Sequence, residues 1–191
     1  MRADGFNAQE RAKAKAENPH PYISTFEGEW KGFVAADPNQ MLAPPRTRVE
    51  AALLLELSKK ITAIPSSFNL HPKLGRFFEA RHKAVTDGKG LDWGNAETLA
   101  FASLLAEGHT VRLSGQDAER GTFTHRHSVL YDFETGQSHT PLNSALNVDN
   151  RFKVHNSSLS ETGVLAFEYG YALAAPKALT IGEAQFGDFG N

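Results

Sequence analysis

The sequence contains no cysteine among its 191 residues. This absence excludes disulfide bonds, a thiol nucleophile and cysteine-ligated zinc within the chain, and it fits a reducing compartment. No apolar run approaches the roughly 20 residues of a membrane-spanning helix. The N-terminal segment MRADGFNAQERAKAKAENPHP also lacks the apolar stretch of a signal peptide. The sequence therefore predicts a cytoplasmic protein, and the acids of the N-terminal segment argue against a mitochondrial presequence and hence against the mitochondrial matrix.

An excess of charge of either sign is missing as well. The formal net charge is -2 and charged residues make up 22% of the chain, which argues against a general nucleic-acid binder or a membrane-surface protein. The chain has no GxGxxG after a strand, no phosphate-loop lysine motif, no GxSxG and no HExxH. Hydrophobic residues amount to 40%, enough for the core of one domain, with or without an extension.

Three regions differ in composition. Residues 1–45 mix charge, alanine, glycine and proline, and we interpret them as an extended arm or linker. The aromatic residues Phe26, Trp30 and Phe33 could dock this arm on a larger body, and a loose linker is an equally good interpretation. Residues 46–90 are predicted to be a helical connecting segment. Residues 91–191 are predicted to form an α/β domain that is incomplete at its C-terminal end.

Periodic apolar positions and capping residues predict the helices of the connecting segment. A first helix is expected from Thr47 to Ile64, because Thr47 followed by Glu50 fits a capping box. A second helix is expected in NLHPKLGRFFEARHKAV, with Pro72 in its first turn.

Helices and strands alternate from residue 91 onward. Asp92 is expected to cap a helix that runs through Glu107 and ends at Gly108. Its predicted inward residues are Ala96, Leu99, Ala100, Leu104 and Leu105. The segments HTVRLSG, FKVHN and ALTIGEAQ are strand candidates, so the pattern predicts an open, mostly parallel sheet with flanking helices. Residues 115–150 form a long polar stretch, which is usually functional or disordered in a compact domain.

The segment NSSLSETGVLAFEYGYALA predicts a further helix with two unusual features. Ser158 and Glu161 have the spacing of a capping box. Gly163 and Gly170 fall on one face together with Ala166 and Ala174, so we expect another element to pack closely against the backbone there. The chain ends at FGDFGN just beyond a strand, whereas a parallel sheet needs a crossover after it, so the unit is expected to be cut short.

Ligands of open α/β sheets bind beyond the carboxyl ends of the strands. Three segments are expected there, namely SGQDAERGTFTHRH, NSSLSE and FGDFGN. The first contains four basic side chains: Arg120, His125, Arg126 and His127. Such a cationic zone suits a carboxylate or phosphate. The alternative, which the residues alone favour slightly, is a surface loop in which Asp117 and Glu119 neutralise the arginines. His125 and His127 would share a face of a strand, but a third metal ligand is not evident, so no metal site is predicted.

Long segments of the chain resemble one enzyme family. RLSGQDAERGTFTHRHSVLYD, NSSLSETGVLAFEYGYAL and EAQFGDFGN are similar to the thiamine-diphosphate-dependent decarboxylating component of the 2-oxoglutarate dehydrogenase complex. GEWKGF, IPSSFNLHPKLGRFFEARHKA and LDWGNAETLAFASLLAEGHTVRLSG match the same family in order. YDFETGQSHTPLNSALNVDNRF matches only loosely, mainly at PLN. The resemblance extends from about Trp30 to the end.

The resemblance implies the thiamin-diphosphate-binding fold and a truncated pyrimidine-binding domain, as a central fragment of a longer enzyme. It implies decarboxylation of 2-oxoglutarate and transfer of the succinyl group to a lipoyl-bearing succinyltransferase component by a homodimer. The ligands of Mg²⁺ and of the diphosphate are implied to lie in a domain absent from this chain, so the chain alone is expected to have no turnover. Neither a nucleic acid nor a membrane is an expected partner.

The family motifs also imply roles for individual residues. Glu161 corresponds to a glutamate that contacts the aminopyrimidine ring, where a carboxyl group favours the imino tautomer that takes the proton from the thiazolium carbon. Burial against Val164 and Leu165 would help this acid to hold or share its proton. The other implied residues lie near the ring or the substrate. Phe189, with Phe186 as the second choice, would pack on the ring. His127, with His125 as the second choice, would bind the substrate carboxylate or transfer protons. Gln116 and Asp117 would shape the pocket.

Two alternatives remain open at this point. A related enzyme could decarboxylate 2-oxoglutarate to a semialdehyde or join it to glyoxylate. A non-catalytic dimerisation or assembly module could keep the fold and the dimer surface alone. In either case, exposed apolar faces predict dimers or aggregates.

Overall fold

The computed structural model describes residues 28–34, 46–148 and 151–185. The chain divides into two compact units, Met1–Ala43 and Pro44–Asn191. In the first unit, a short 3₁₀ turn spans Gly28–Trp30, and the rings of Trp30 and Phe33 lie 5.3 Å apart. Phe26 is outside the described residues, so the docking of the arm stays a prediction. The boundaries expected at residues 45 and 90 also stay a prediction.

The described part of the second unit contains five α-helices and five strands. In chain order these are α1 (Ala51–Thr62), α2 (Pro72–Asp87), α3 (Trp93–Ala106), β1 (Thr110–Gly115), β2 (Leu130–Tyr131), β3 (Ser138–His139), α4 (Pro141–Leu146), β4 (Phe152–Asn156), α5 (Glu161–Ala174) and β5 (Ala178–Glu183).

The main sheet has the strand order β4-β1-β5, and both strand pairs are parallel. The three strand predictions and the expected open parallel α/β architecture are thereby confirmed. Gly115 at the end of β1 is level with Asn156 of β4 and with Glu183 of β5. All three strands therefore finish at one edge of the sheet, where the loops that follow them can meet.

Helices cover both faces of this sheet. On one face α1, α3 and α4 pack against β1 and β4 to form the hydrophobic core, with the buried side chains Leu57, Ile61, Leu99, Phe101, Ala102, Leu105, Val111, Leu113, Leu142 and Phe152. On the other face α5 buries Val164 and Glu168. The helix lies close to β5, since a Cβ atom built on Gly182 would be in van der Waals contact with Val164 Cγ1 at 3.4 Å.

Local signals fix the starts of α2 and α3 as predicted, and the end of α2 at Gly88 is an additional finding. Pro72 is in the first turn of α2, and Gly88 ends the helix with a left-handed φ of 65°. The side chain of Asp92 accepts a hydrogen bond of 2.6 Å from the amide of Asn95 and caps α3. These helix predictions are confirmed.

Two details of the helix predictions are wrong. Helix α1 begins at Ala51, and Glu50 occupies the cap position without a side-chain bond, so Thr47 is not the cap. On α3, Ala96 and Ala100 are exposed, whereas Phe101 and Ala102 are buried. The reason is that α3 packs against α1, α4 and β1 at once, and this contact surface is wider than the single stripe that the sequence pattern indicated.

The long polar stretch after β1 has defined structure in its described part. It contains the antiparallel ribbon of β2 and β3 and the helix α4. Asp132 is buried and fixes one turn of this stretch, because its carboxylate accepts bonds from the amides of Asn69 (2.7 Å), Glu134 (2.9 Å) and Thr135 (2.8 Å). These backbone hydrogen bonds hold the pKa of Asp132 far below its usual range.

Candidate functional site

The loops that follow β1 and β4 are joined directly at the carboxyl edge of the sheet. The amide of Ser157 donates to the carbonyl of Gly115 at 2.8 Å, and the amide of Glu119 donates to Asn156 Oδ1 at 3.0 Å. Gln116 Nε2 donates to the carbonyl of Leu159 at 3.2 Å. The predicted meeting of these two segments is therefore present. The third segment, residues 186–191, lies outside the described residues together with Phe186 and Phe189.

Glu161 is the first residue of α5 and lies beside these loops. Ser160 caps the helix, since its hydroxyl accepts a bond of 3.4 Å from the amide of Gly163. The capping box predicted for Ser158 and Glu161 is therefore wrong. The helix begins two residues too late for Ser158 to cap it, and the Glu161 side chain is left free of the capping role.

The Glu161 carboxyl group has an unusual environment. Its Oε2 atom is buried and has no hydrogen-bond partner among the described residues. An unpaired buried polar atom is costly, and natural proteins keep few of them unless a ligand or water completes the site. Val164 next to it is buried, but Leu165 is 62% exposed, so only the Val164 side of the expected apolar environment is present. A carboxyl group of this kind fits a hydrogen-bonding group on a heteroaromatic ring.

Both arginines of the expected cationic zone are engaged by acids. Arg120 pairs with Asp117 through Nε at 2.9 Å. Arg126 is buried and makes two-pronged contacts to Glu97 of α3 (2.7 and 3.0 Å) and to Glu183 of β5 (2.7 and 2.8 Å). Burial by itself lowers the pKa of Arg126, but the bonds from Glu183 and Glu97 outweigh it and raise the pKa. The paired-charge alternative holds for Arg120 and Asp117 only. Arg126 is buried and is paired from other elements, and Glu119 accepts a bond from the hydroxyl of Tyr131 instead of pairing with an arginine.

The two histidines lie in different surroundings. His125 stacks over Gly121, where a Cβ atom would overlap the imidazole, and its Nδ1 atom is buried without a partner among the described residues. His127 has a positive φ of 50°, and its ring meets the ring of Phe77 of α2 edge-on at 5.2 Å. Burial lowers the pKa of His127, and the charge of Arg81 lowers it further. Because the segment is not a strand, the expectation that both rings share a face is wrong.

Several residues that shape this region lie in the family-like segments but were not predicted to belong to the site. Arg81 donates to the carbonyl of His125, and Asn95 Nδ2 donates to the carbonyl of Arg81 at 3.1 Å. Gly94 lies where a Cβ atom would collide with Arg81 and with the His125 carbonyl. The sequence contains only a weak indication that Arg81 belongs to the site. This indication consists of an arginine one helical turn after Phe77, on the apolar face of α2.

Residues 89–191 match the family model described as transketolase, pyrimidine binding domain. The chain belongs to this family. Three curated relatives in this comparison are 2-oxoglutarate dehydrogenase E1 components. Those of Brucella anthropi, Brucella canis and Brucella ovis are 47%, 46% and 46% identical to the chain over 165 residues, which is 86% of its length. The resemblance noted from the sequence is confirmed, and so is the pyrimidine-binding fold.

The pyrimidine-binding chain spans 16% of the length of these relatives. The family implies thiamine diphosphate as cofactor, and the unpaired Glu161 Oε2 atom fits a ring nitrogen of its aminopyrimidine. Within residues 28–34, 46–148 and 151–185, no helix is long and apolar enough to cross a bilayer. The same residues contain no cluster of three or more acidic or histidine side chains able to hold a metal ion.

Proposed function

We propose that this chain supplies the pyrimidine-binding side of the thiamine diphosphate site in a 2-oxoglutarate dehydrogenase. The reaction is decarboxylation of 2-oxoglutarate followed by transfer of the succinyl group to a lipoyl carrier. The observation that carries the proposal is the buried Oε2 atom of Glu161, which lacks a partner in the described part of the chain. The identity of 46–47% to E1 components of this complex supports the choice of substrate.

Thiamine diphosphate, when bound, supplies a thiazolium carbon that adds to the keto group of a 2-oxo acid and accepts its electrons. The protein has to orient the aminopyrimidine and manage one proton on it. We assign that task to Glu161, which would share a proton between its Oε2 atom and a ring nitrogen. The buried position of Oε2 excludes water, which would otherwise compete for this hydrogen bond.

The remaining assignments follow the family motifs. His127, with His125 in a lesser role, would bind the substrate carboxylate or transfer protons. A neutral imidazole suits proton uptake, and the lowered pKa of His127 supports that form. Gln116 and Asp117 would shape the pocket, although their side chains are bonded to Leu159 and Arg120. Phe189, or less well Phe186, would pack on the ring.

The proposed partners are a second copy of the chain, a lipoyl-bearing succinyltransferase component and a diphosphate-binding domain that supplies the Mg²⁺ ligands. The proposed location is the bacterial cytoplasm. Support for a dimer comes from the outer side of α5, where the apolar side chains Leu165, Tyr169 and Leu173 are exposed. We expect self-association in sedimentation velocity at micromolar concentration, weakened by Tyr169→Glu. A monomer at this concentration contradicts the proposed dimer.

The same exposed face of α5 supports the alternative of a non-catalytic assembly module. A related 2-oxoglutarate decarboxylase or carboligase is a further alternative, because it would use the same residues as those assigned above. Glu161 variants separate these functions. The variants are made in the full-length protein that carries this segment, or in the chain mixed with a separate diphosphate-binding domain. Release of CO₂ from 2-oxoglutarate, succinyl transfer to a lipoyl domain and binding of thiamine diphosphate are each measured.

We expect Glu161→Ala to abolish turnover and Glu161→Gln to lower kcat by about 10²-fold or more, because the amide cannot exchange the proton. Glu134→Gln is the matched control in an exposed turn and leaves kcat unchanged. Full turnover by Glu161→Ala contradicts the proposal. Cofactor binding without turnover in any combination supports the assembly module, and CO₂ release without succinyl transfer supports the decarboxylase.

A further inference from the structure

Arg81 carries a buried positive charge outside the loops of the candidate site. The residue lies in α2, and only 5% of its surface is exposed. Removing a guanidinium from water is costly unless hydrogen bonds and counter-charges compensate it. Burial lowers the pKa of Arg81, and the charges of Asp92 and Glu97 oppose that effect. A charge kept at such a site indicates a specific structural task for the side chain.

The guanidinium binds the backbone immediately before His127. Nη2 donates to the carbonyl of His125, and Nη1 donates to the carbonyl of Arg126 at 3.4 Å. His127 itself has a φ of 50°, a left-handed conformation that is unfavourable for a residue other than glycine. Such a conformation persists only where the surroundings hold it. The two bonds from Arg81 fix the peptides that precede this turn.

Phe77 forms a second link between Arg81 and His127. The guanidinium carbon lies 4.2 Å from the centroid of the Phe77 ring, and the His127 ring meets the same ring at 5.2 Å with an interplanar angle of 77°. Phe77 and Arg81 are four residues apart on α2, so one face of this helix provides both contacts. Gly94 leaves the space that the guanidinium and the His125 carbonyl occupy.

We propose that Arg81 is a positioning residue for His127. It acts through the two carbonyl groups that precede the histidine and through the ring of Phe77. A conservative lysine can replace the charge, but it lacks the planar fork that reaches both carbonyl groups.

Three basic side chains act on the His127 imidazole, whereas the acids Asp92 and Glu97 act on the guanidinium of Arg81. Arg81 faces the imidazole from α2, and Arg120 and His125 face it from its own loop, while the carbonyl of Thr124 is the one contribution that favours protonation. A cavity of about 20 Å³ adjoins Arg81 and His127, and its other described lining residues are uncharged: Ile61, Thr62, Phe78, Asn95, Thr98, Ser128, Pro141 and Leu142. Arg81 thus holds the imidazole in a place where its neutral form is favoured.

The functional value of this arrangement rests on the proposed role of His127 in substrate binding or proton transfer. The arrangement itself can be measured without turnover. The pKa of His127 is followed by NMR titration of labelled histidine in the full-length protein. Hydrogen exchange is followed at the amides of Arg126, His127 and Ser128, which donate to the carbonyls of Arg120 and Glu119.

Three variants of α2 separate charge from geometry. In Arg81→Met we expect the pKa of His127 to rise by about one pH unit, and exchange at the three amides to become at least about tenfold faster as the turn loosens. In Arg81→Lys we expect the pKa to stay low and the exchange to accelerate. Arg76→Met, an exposed position on the same helix, leaves both quantities unchanged.

A folded Arg81→Met protein with an unchanged His127 pKa and unchanged exchange overturns the proposal. If Arg81→Met does not fold, the test rests on Arg81→Lys. Exchange in Arg81→Lys that is as slow as in the wild type at the three amides also overturns the proposal. Failure of the proposed function gives a different result. In that case His127→Asn retains full turnover while the pKa and exchange changes of the Arg81 variants are still observed.

Discussion

Two helical glycines show how the surroundings of a single residue decide its role. Nothing lies within 4 Å of the Cβ position of Gly75 in α2. The Cβ position of Gly94 in α3, by contrast, would fall on the His125 carbonyl and on Arg81. Glycine is unfavourable inside a helix because of the backbone freedom that it loses on folding. Gly75 therefore bears this cost without a steric reason, whereas Gly94 makes room for the Arg81 contact.

The two glycines predict opposite effects of alanine. We expect Gly75→Ala to raise the free energy of unfolding by about 0.5–1 kcal/mol, because alanine restricts the unfolded chain. We expect Gly94→Ala to lower it by about 1–3 kcal/mol, because the added methyl group displaces Arg81 and the His125 carbonyl. Urea unfolding measures both. A Gly94→Ala protein as stable as the wild type would show that this close approach is not required.

At the scale of elements, the attachment of α5 to the sheet depends on a buried ion pair. Arg112 of β1 binds Glu168 of α5 at 2.7 and 2.9 Å, and the Ser114 hydroxyl donates to the same carboxylate at 2.7 Å. Burial by itself raises the pKa of Glu168, but the bonds from Arg112 and Ser114 outweigh it and lower the pKa. Such a pair adds little net stability, yet it fixes the orientation of α5 and hence of Glu161 at its first turn.

The start of α5 gives an element-scale prediction, because two serines compete for the capping role. Ser160→Ala should lower the free energy of unfolding by about 0.5–1 kcal/mol, since the hydroxyl accepts from the Gly163 amide at 3.4 Å. Ser158→Ala is the matched control and should change it by less than about 0.5 kcal/mol. Thermal or urea unfolding distinguishes them. A larger decrease in the free energy of unfolding in Ser158→Ala than in Ser160→Ala would instead support the capping box expected from sequence spacing.

For the whole molecule, three histidines have a common pH dependence. Burial lowers the pKa of His127, His139 and His155 below the usual 6.5. Below about pH 6.5 the unfolded chain therefore binds more protons at these positions than the folded chain does. Acid shifts the equilibrium toward the unfolded state as a result.

We predict that the free energy of unfolding decreases as the pH falls from about 7 to about 5.5. Urea unfolding at a series of pH values measures the slope. Replacing His127, His139 and His155 together by glutamine should flatten it, whereas His109→Gln, at an exposed position, should not. A free energy of unfolding that stays constant or increases as the pH falls over this range would contradict the lowered pKa values of these histidines in the folded chain.

Features that rest on short-range patterns could be predicted from the order of the residues alone. Asp92 and Pro72 mark helix starts by interactions within a few residues, and three apolar segments alternating with helices indicate a parallel sheet. Because the strands of a parallel sheet end at one edge, the alternation also predicted that the loops after β1 and β4 meet. The family motifs added the identity of the fold and the choice of Glu161.

The pairing and burial of the charged side chains could not be predicted in this way, because they depend on the folded chain. Arg126 finds its carboxylate partners 29 and 57 positions away along the chain, and no local pattern distinguishes these acids from others. The burial of Glu161 Oε2 and the contact of Arg81 with the HRH segment likewise depend on packing between distant elements. The physical reason is that spacing along the chain controls local hydrogen bonds, whereas solvation and pairing of charge depend on neighbours that only the folded chain brings together.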